Sequence, residues 1–133
     1  MIGGVSHTYV WVEDYDRALA FYTGKLGFEV REDATLGGRR WVTVGHPDQP
    51  ALRLVLRLVG PPLDDTAAAQ VRELLGSGSL IGGGLVTDDC RAAFAELSGR
   101  GVRFLVEPAE RPYGIEAVFL DDSGNAWGLV EPR

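Results

Sequence analysis

Apolar and polar residues along this chain alternate in a way that writes a strand, a helix and three more strands, twice. In the stretch Val5–Val12, Thr8, Val10 and Val12 fall on one face, and His7, Tyr9 and Trp11 on the other. Asp14 then stands where an N-cap is needed, and Ala18, Phe21, Tyr22 and Leu26 recur at helical spacing up to Gly27, predicting a helix over 15–26. Extended segments follow at 28–34, 40–44 and 51–59, the first two joined by a Leu36-Gly37-Gly38 turn. In the last of them Leu52, Leu54, Leu56 and Leu58 oppose Arg53, Val55 and Arg57. If the helix claims one side of the first strand, the side carrying His7, Tyr9 and Trp11 is free to line a site.

Gly60-Pro61-Pro62 breaks this unit, an Ala-rich helix is predicted over 64–75 with its stop at Gly76, and the pattern restarts. A strand over 80–87, a helix capped by Asp88 and running through Ser98, Gly101, a strand over 102–106, a loop over 107–113 with two prolines, and strands over 114–120 and 125–130 complete it. Asp14-x-x-Arg17-Ala18 matches Asp88-x-x-Arg91-Ala92, and Gly27 matches Gly101, all at an offset of 74. The organisation is therefore one α+β domain over 1–133: module 1 at about 1–60, a linker helix at about 61–79, and module 2 at about 80–133. Tandem βαβββ modules of this kind form cupped mixed sheets, whose faces away from the helices can enclose a cavity between modules.

Composition narrows the function. The net charge of −6 with no basic stripe argues against nucleic acid and mildly favours cationic ligands. Cys90, the single cysteine, gives no sign of an oxidising compartment. The apolar segments are strand-length, so neither a signal peptide nor a membrane span is expected and the cytoplasm is the simplest location.

His7-x-x-x-x-Val12-x-Asp14, Ala18-x-x-Phe21-Tyr22 and Leu26-Gly27-Phe28 resemble the opening of the vicinal oxygen chelate superfamily, which includes glyoxalase I, extradiol dioxygenases and bleomycin-type resistance proteins. Phe119-Leu120-Asp121-Asp122-Ser123-Gly124-Asn125 resembles its closing Asp-Pro-x-Gly-Asn turn, and Trp41-Val42-Thr43-Val44-Gly45 resembles a bacterial branch. The resemblance implies the glyoxalase/bleomycin resistance fold, a homodimer, and four metal-ligand slots. Those slots fall on His7, Arg53, Gly82 (or Ile81) and Gly128, so only the first is filled. Arg53 is a fixed cation without an acceptor, and glycine and isoleucine cannot ligate. No metal and no other cofactor is expected, with His7 a vestigial slot.

Each candidate residue has a plainer reading beside the functional one. His7 reads as a hydrogen-bonding pocket residue, a general base, or a structural histidine. Cys90 reads as a thiol favoured at a helix start, or as a small residue near a cap. Tyr9 and Trp11 share the face of His7 and are expected to line a pocket. Trp127 is expected on the helix side, and Trp41 and Tyr113 are placed on neither. The run Gly82-Gly83-Gly84 reads either as a close approach of a ligand or backbone, or as a bulge. The expected ligand-binding set is His7, Tyr9, Trp11, Trp41, Arg53, Val55, Gly82, Gly84, Tyr113 and Gly128, with no catalytic residue. The expected function is metal-independent sequestration of a hydrophobic aromatic small molecule, such as an antibiotic. The alternative is a glyoxalase-, isomerase- or dioxygenase-type enzyme with a non-standard or absent metal site.

Overall fold

The computed structural model describes residues 1–133, which divide into two compact units, Met1–Arg72 and Glu73–Arg133. In the first, β1 (His7–Val12), α1 (Tyr15–Ala20), β2 (Glu29–Leu36), β3 (Arg39–Gly45) and β4 (Arg53–Leu58) build a four-stranded sheet of order β1-β4-β3-β2. β1 runs parallel to β4 and the other pairs are antiparallel. The second unit repeats this with β5 (Ile81–Val86), α3 (Cys90–Gly99), β6 (Arg103–Arg111), β7 (Gly114–Leu120) and β8 (Ala126–Pro132) in the order β5-β8-β7-β6. The helix α2 (Asp65–Gly76) connects them. No helix is long and apolar enough to cross a membrane.

The alternation in the sequence sets the faces. Val10 and Val12 of β1, Leu54 and Leu56 of β4, and Val42 and Val44 of β3 are all buried, as are Ala18, Phe21 and Tyr22 of the covering helix. Asp14 caps that helix through its carboxylate and Arg17 N–H. The expected single helix over 15–26 is α only to Ala20; Phe21–Lys25 is a π-helical turn, closed by Leu26 N–H to Phe21 C=O at 3.3 Å. In the second unit the core side carries Ala117, Phe119, Trp127 and Leu129. Phe94 of α3 meets Phe104 at 4.7 Å, which meets Phe119 at 5.7 Å. Trp127 pairs with Phe119 in register, on the helix side as expected.

Three local expectations need correction. The cap of α3 is Asp89, accepting from Ala92 N–H, not Asp88. The positive-φ stop after α2 is Gly78, with Gly76 still helical, because Ser79 N–H and Gly78 N–H close back onto Leu74 and Leu75. The segment expected as a loop over 107–113 is mostly strand: β6 runs to Arg111, and the β6–β7 register skips between Val106 and Ala109, so Glu107 and Pro108 lie in a bulge. Pro108 has no N–H to lose there. Of the two readings of the glycine run, the bulge is present, since the β5–β8 register shifts between Ile81 and Gly83.

The closing turn is held by one carboxylate. Asp121 Oδ1 accepts from the N–H groups of Ser123, Gly124 and Asn125 at 3.0, 2.9 and 2.8 Å, and Oδ2 from Asn125 Nδ2 at 2.9 Å. Asp121→Ala is expected to cost about 2–3 kcal/mol, because buried backbone donors lose a charged acceptor together. Chemical denaturation measures it; a loss under about 0.5 kcal/mol would show that water replaces the carboxylate.

Candidate functional site

The helix-free face of the first sheet gathers the expected residues. Parallel register sets His7 beside Arg53, Tyr9 beside Val55 and Trp11 beside Arg57. Antiparallel register sets Thr43 beside Val55, and Glu32 and Ala34 beside Thr43 and Trp41. Because paired residues share a face, His7, Tyr9, Trp11, Trp41, Arg53 and Val55 lie on one surface. Val55 and Thr43 form its floor, at 2% and 0% exposure, whereas Tyr9 is 51% exposed.

His7 is fixed from both ring nitrogens. Nδ1 lies 2.7 Å from Ser6 Oγ and Nε2 3.0 Å from Tyr9 OH. Its ring meets Tyr9 and Trp41 edge-on, at 5.2 and 6.0 Å. Arg57 Cζ lies over the Tyr9 ring, 5.7 Å from its centroid. Arg53 Nε is 3.2 Å from Glu32 Oε1, off the N–H axis, and Thr43 Oγ1 donates to the same oxygen at 3.3 Å. Glu32, the carboxylate of this face, is thus committed to Arg53 and Thr43. His7, an arginine beside it and hydroxyl neighbours do not suit a divalent cation, and nowhere do three His, Cys, Asp or Glu side chains converge.

A cleft of about 410 Å³ opens at one end of this face. The β3–β4 ladder stops at Val42 and Leu56, while β2–β3 continues to Arg39 and β1–β4 to Leu58, so the sheet splits there. Trp41 and Val55 of the expected set line the split. Tyr15, Arg39, Arg40, Arg57, Gly60 and Pro61 line it too, and none of these was among the expected binding residues. Arg57 alternates with Arg53 and Val55 and was recoverable by that signal. The others depend on where the ladder ends. Arg40 is neutralised: Asp33 receives both Nε and Nη2 at 2.9 Å and Asp16 receives Nη1 at 3.2 Å. The hydrogen bond from Arg40 holds the Asp33 carboxyl below the usual range.

The residues expected from the second unit group differently. Gly84 and Gly128 are paired in register on its helix-free face, with open space at Gly84 and Glu116 Oε2 3.5 Å from where a Gly128 Cβ would lie. Tyr113 donates to Glu116 Oε1 at 2.7 Å, which pushes the phenol up, and sits at the β6–β7 turn. Glu116 was missed because nothing in its own neighbourhood marks it. Gly82 does not belong with this group: a Cβ there would stand 2.7 Å from the Trp127 indole, so its missing side chain makes room for core packing. Cys90 is fully buried and donates to Leu129 C=O, and burial pushes its thiol up, which makes it inert.

Comparison with known proteins accords with this architecture. The family model described as glyoxalase/bleomycin resistance protein/dioxygenase superfamily matches residues 4–129. The uncharacterized protein YurT of Bacillus subtilis (strain 168) is 34% identical over 93% of this chain and 95% of its own. The crystal structure of UcmS2 superposes with a TM-score of 0.92 at 47% identity, covering 98% of this chain and 99% of that one. TnmS3, an antibiotic binding protein from Streptomyces sp. CB03234, superposes with a TM-score of 0.79 at 32% identity, covering 99% and 98%. Repeated βαβββ units and the match over nearly the whole length place this chain in the glyoxalase/bleomycin resistance protein/dioxygenase superfamily.

Proposed function

We propose that this protein binds and sequesters a hydrophobic aromatic small molecule without a metal, on the helix-free face of its first sheet. The observation that carries this reading is the surface itself: rings of His7, Tyr9 and Trp41 set edge-on around a floor of Val55 and Thr43, leading into a 410 Å³ cleft. A volume in that range suits a drug-sized ligand. Flat rings stacking on Trp or Tyr add roughly 0.5–1.5 kcal/mol per pair beyond area burial. The likeness to TnmS3, an antibiotic binding protein, supports the same reading.

Fluorescence titration and thermal shift against a panel of polycyclic aromatic antibiotics test it. At least one compound is expected to quench tryptophan emission and raise the melting temperature. Trp41→Ala is expected to weaken that compound by roughly five- to thirtyfold, the equivalent of about 1–2 kcal/mol. A compound that binds equally well to the variant would move the site off this face. Stoichiometric divalent metal in the purified protein, or turnover abolished by a chelator, would replace the carrier with a glyoxalase-, isomerase- or dioxygenase-type enzyme.

A further inference from the structure

The net charge of −6 suggests a cationic ligand, but the charges around the cleft have the opposite sign. Its charged lining consists of arginines: Arg39, Arg40 and Arg57. Arg40 is matched by Asp33 and Asp16, as described. The other two are not matched by a carboxylate. Arg39 donates from Nη2 to Pro61 C=O at 3.3 Å, and Arg57 rests on the Tyr9 ring. Neither contact neutralises a guanidinium. The two residues come from the two strands that part at the split, Arg39 from β3 and Arg57 from β4, and Trp41 and Val55 line the same cleft.

From this arrangement we infer that the ligand is an aromatic compound bearing an anionic group, a carboxylate or an ionised phenol, which Arg57 and Arg39 receive while the ring system lies against Trp41. The inference rests on the aromatic-binding reading above and specifies its ligand class. Guanidinium is suited to the role, because its planar fork can donate two parallel bonds to one carboxylate and it remains charged throughout the working pH range. Contact with the Tyr9 ring restrains the Arg57 side chain, so less freedom is lost on binding. The protein's overall negative charge repels an anion at long range, but that field is screened beyond about 10 Å at 0.1 M salt, whereas contact in the cleft is not.

Three probes sharing one ring system test the assignment: anthracene-2-carboxylate, its primary amide, and 2-(aminomethyl)anthracene in its ammonium form. Each is titrated at pH 7.5 into the intact protein and into Arg57→Met and Arg39→Met, with tryptophan quenching and calorimetry as readouts. The carboxylate is expected to bind roughly tenfold or more tighter than the amide, with the ammonium weakest. Arg57→Met should abolish that preference by weakening the carboxylate far more than the amide, and Arg39→Met should reduce the preference by a smaller factor. Circular dichroism checks that each variant folds, and the second guards against collapse of the first. Equal binding of all three probes, or a preference that survives in both variants, overturns the anionic assignment while the aromatic site stands. Failure of all three to bind the unaltered protein at millimolar concentration overturns the aromatic site, and the assignment with it.

Discussion

Trp127→Ala is expected to lower the stability of the protein by about 3–5 kcal/mol, the range for deleting a large buried aromatic side chain. The indole is 5% exposed, paired with Phe119 in register, and laid across the bulge of β5. Two consecutive glycines receive it: a Cβ at Gly82 would stand 2.7 Å from Cε2 and Nε1, and one at Gly83 2.9 Å from Cζ3. The pair is therefore coupled. Gly82→Ala alone should cost about 2 kcal/mol because a rigid ring must shift, but in the Trp127→Ala background its cost should fall below about 0.5 kcal/mol. Urea denaturation of the four proteins measures the cycle. Additive losses would mean that the glycines serve something other than the indole.

The second large effect is at Gly124. Its φ of +107° lies where side chains are strained, and an added Cβ would run into the Leu75 carbonyl oxygen near the end of α2. Backbone cannot rotate aside as a side chain can, and α2 ends in bonds from Ser79 and Gly78 to Leu74 and Leu75. Gly124→Ala is accordingly expected to destabilise by about 3 kcal/mol and to lower the melting temperature by roughly 10 °C. Gly84→Ala is the matched comparison, since its Cβ would meet open space. If calorimetry gives the two variants similar melting temperatures, the close approach at Leu75 is not what selects glycine.

How far the sequence could be read depended on whether one residue's neighbours carried the information. The face shared by His7, Tyr9, Trp11, Arg53 and Val55 was legible because strict period-two alternation in β1 and β4 leaves no choice of side. Gly82, carried over as a ligand slot from the resemblance, falls on the core side because a bulge puts consecutive residues on the same side of β5. The repeat misled in a related way. The structural caps Asp14 and Asp89 are 75 positions apart while Gly27 and Gly101 are 74 apart. The first helix thus holds one residue more between cap and stop, and the π-helical turn at Phe21–Lys25 is where it is stored. A constant offset therefore chose Asp88, one residue early. The cleft was hidden for a different reason. Its lining follows from the point at which two strands part, a property of pairing that no single stretch encodes.

Pro108 has a consequence beyond its own bulge. β6 is one of the two edge strands of the second sheet, a position from which one folded molecule can recruit the backbone of another. An approaching strand would find a missing donor at Pro108 and a broken hydrogen-bond rhythm on both sides of it. The interruption that disguises this strand in the sequence guards that border of the sheet against fibre growth.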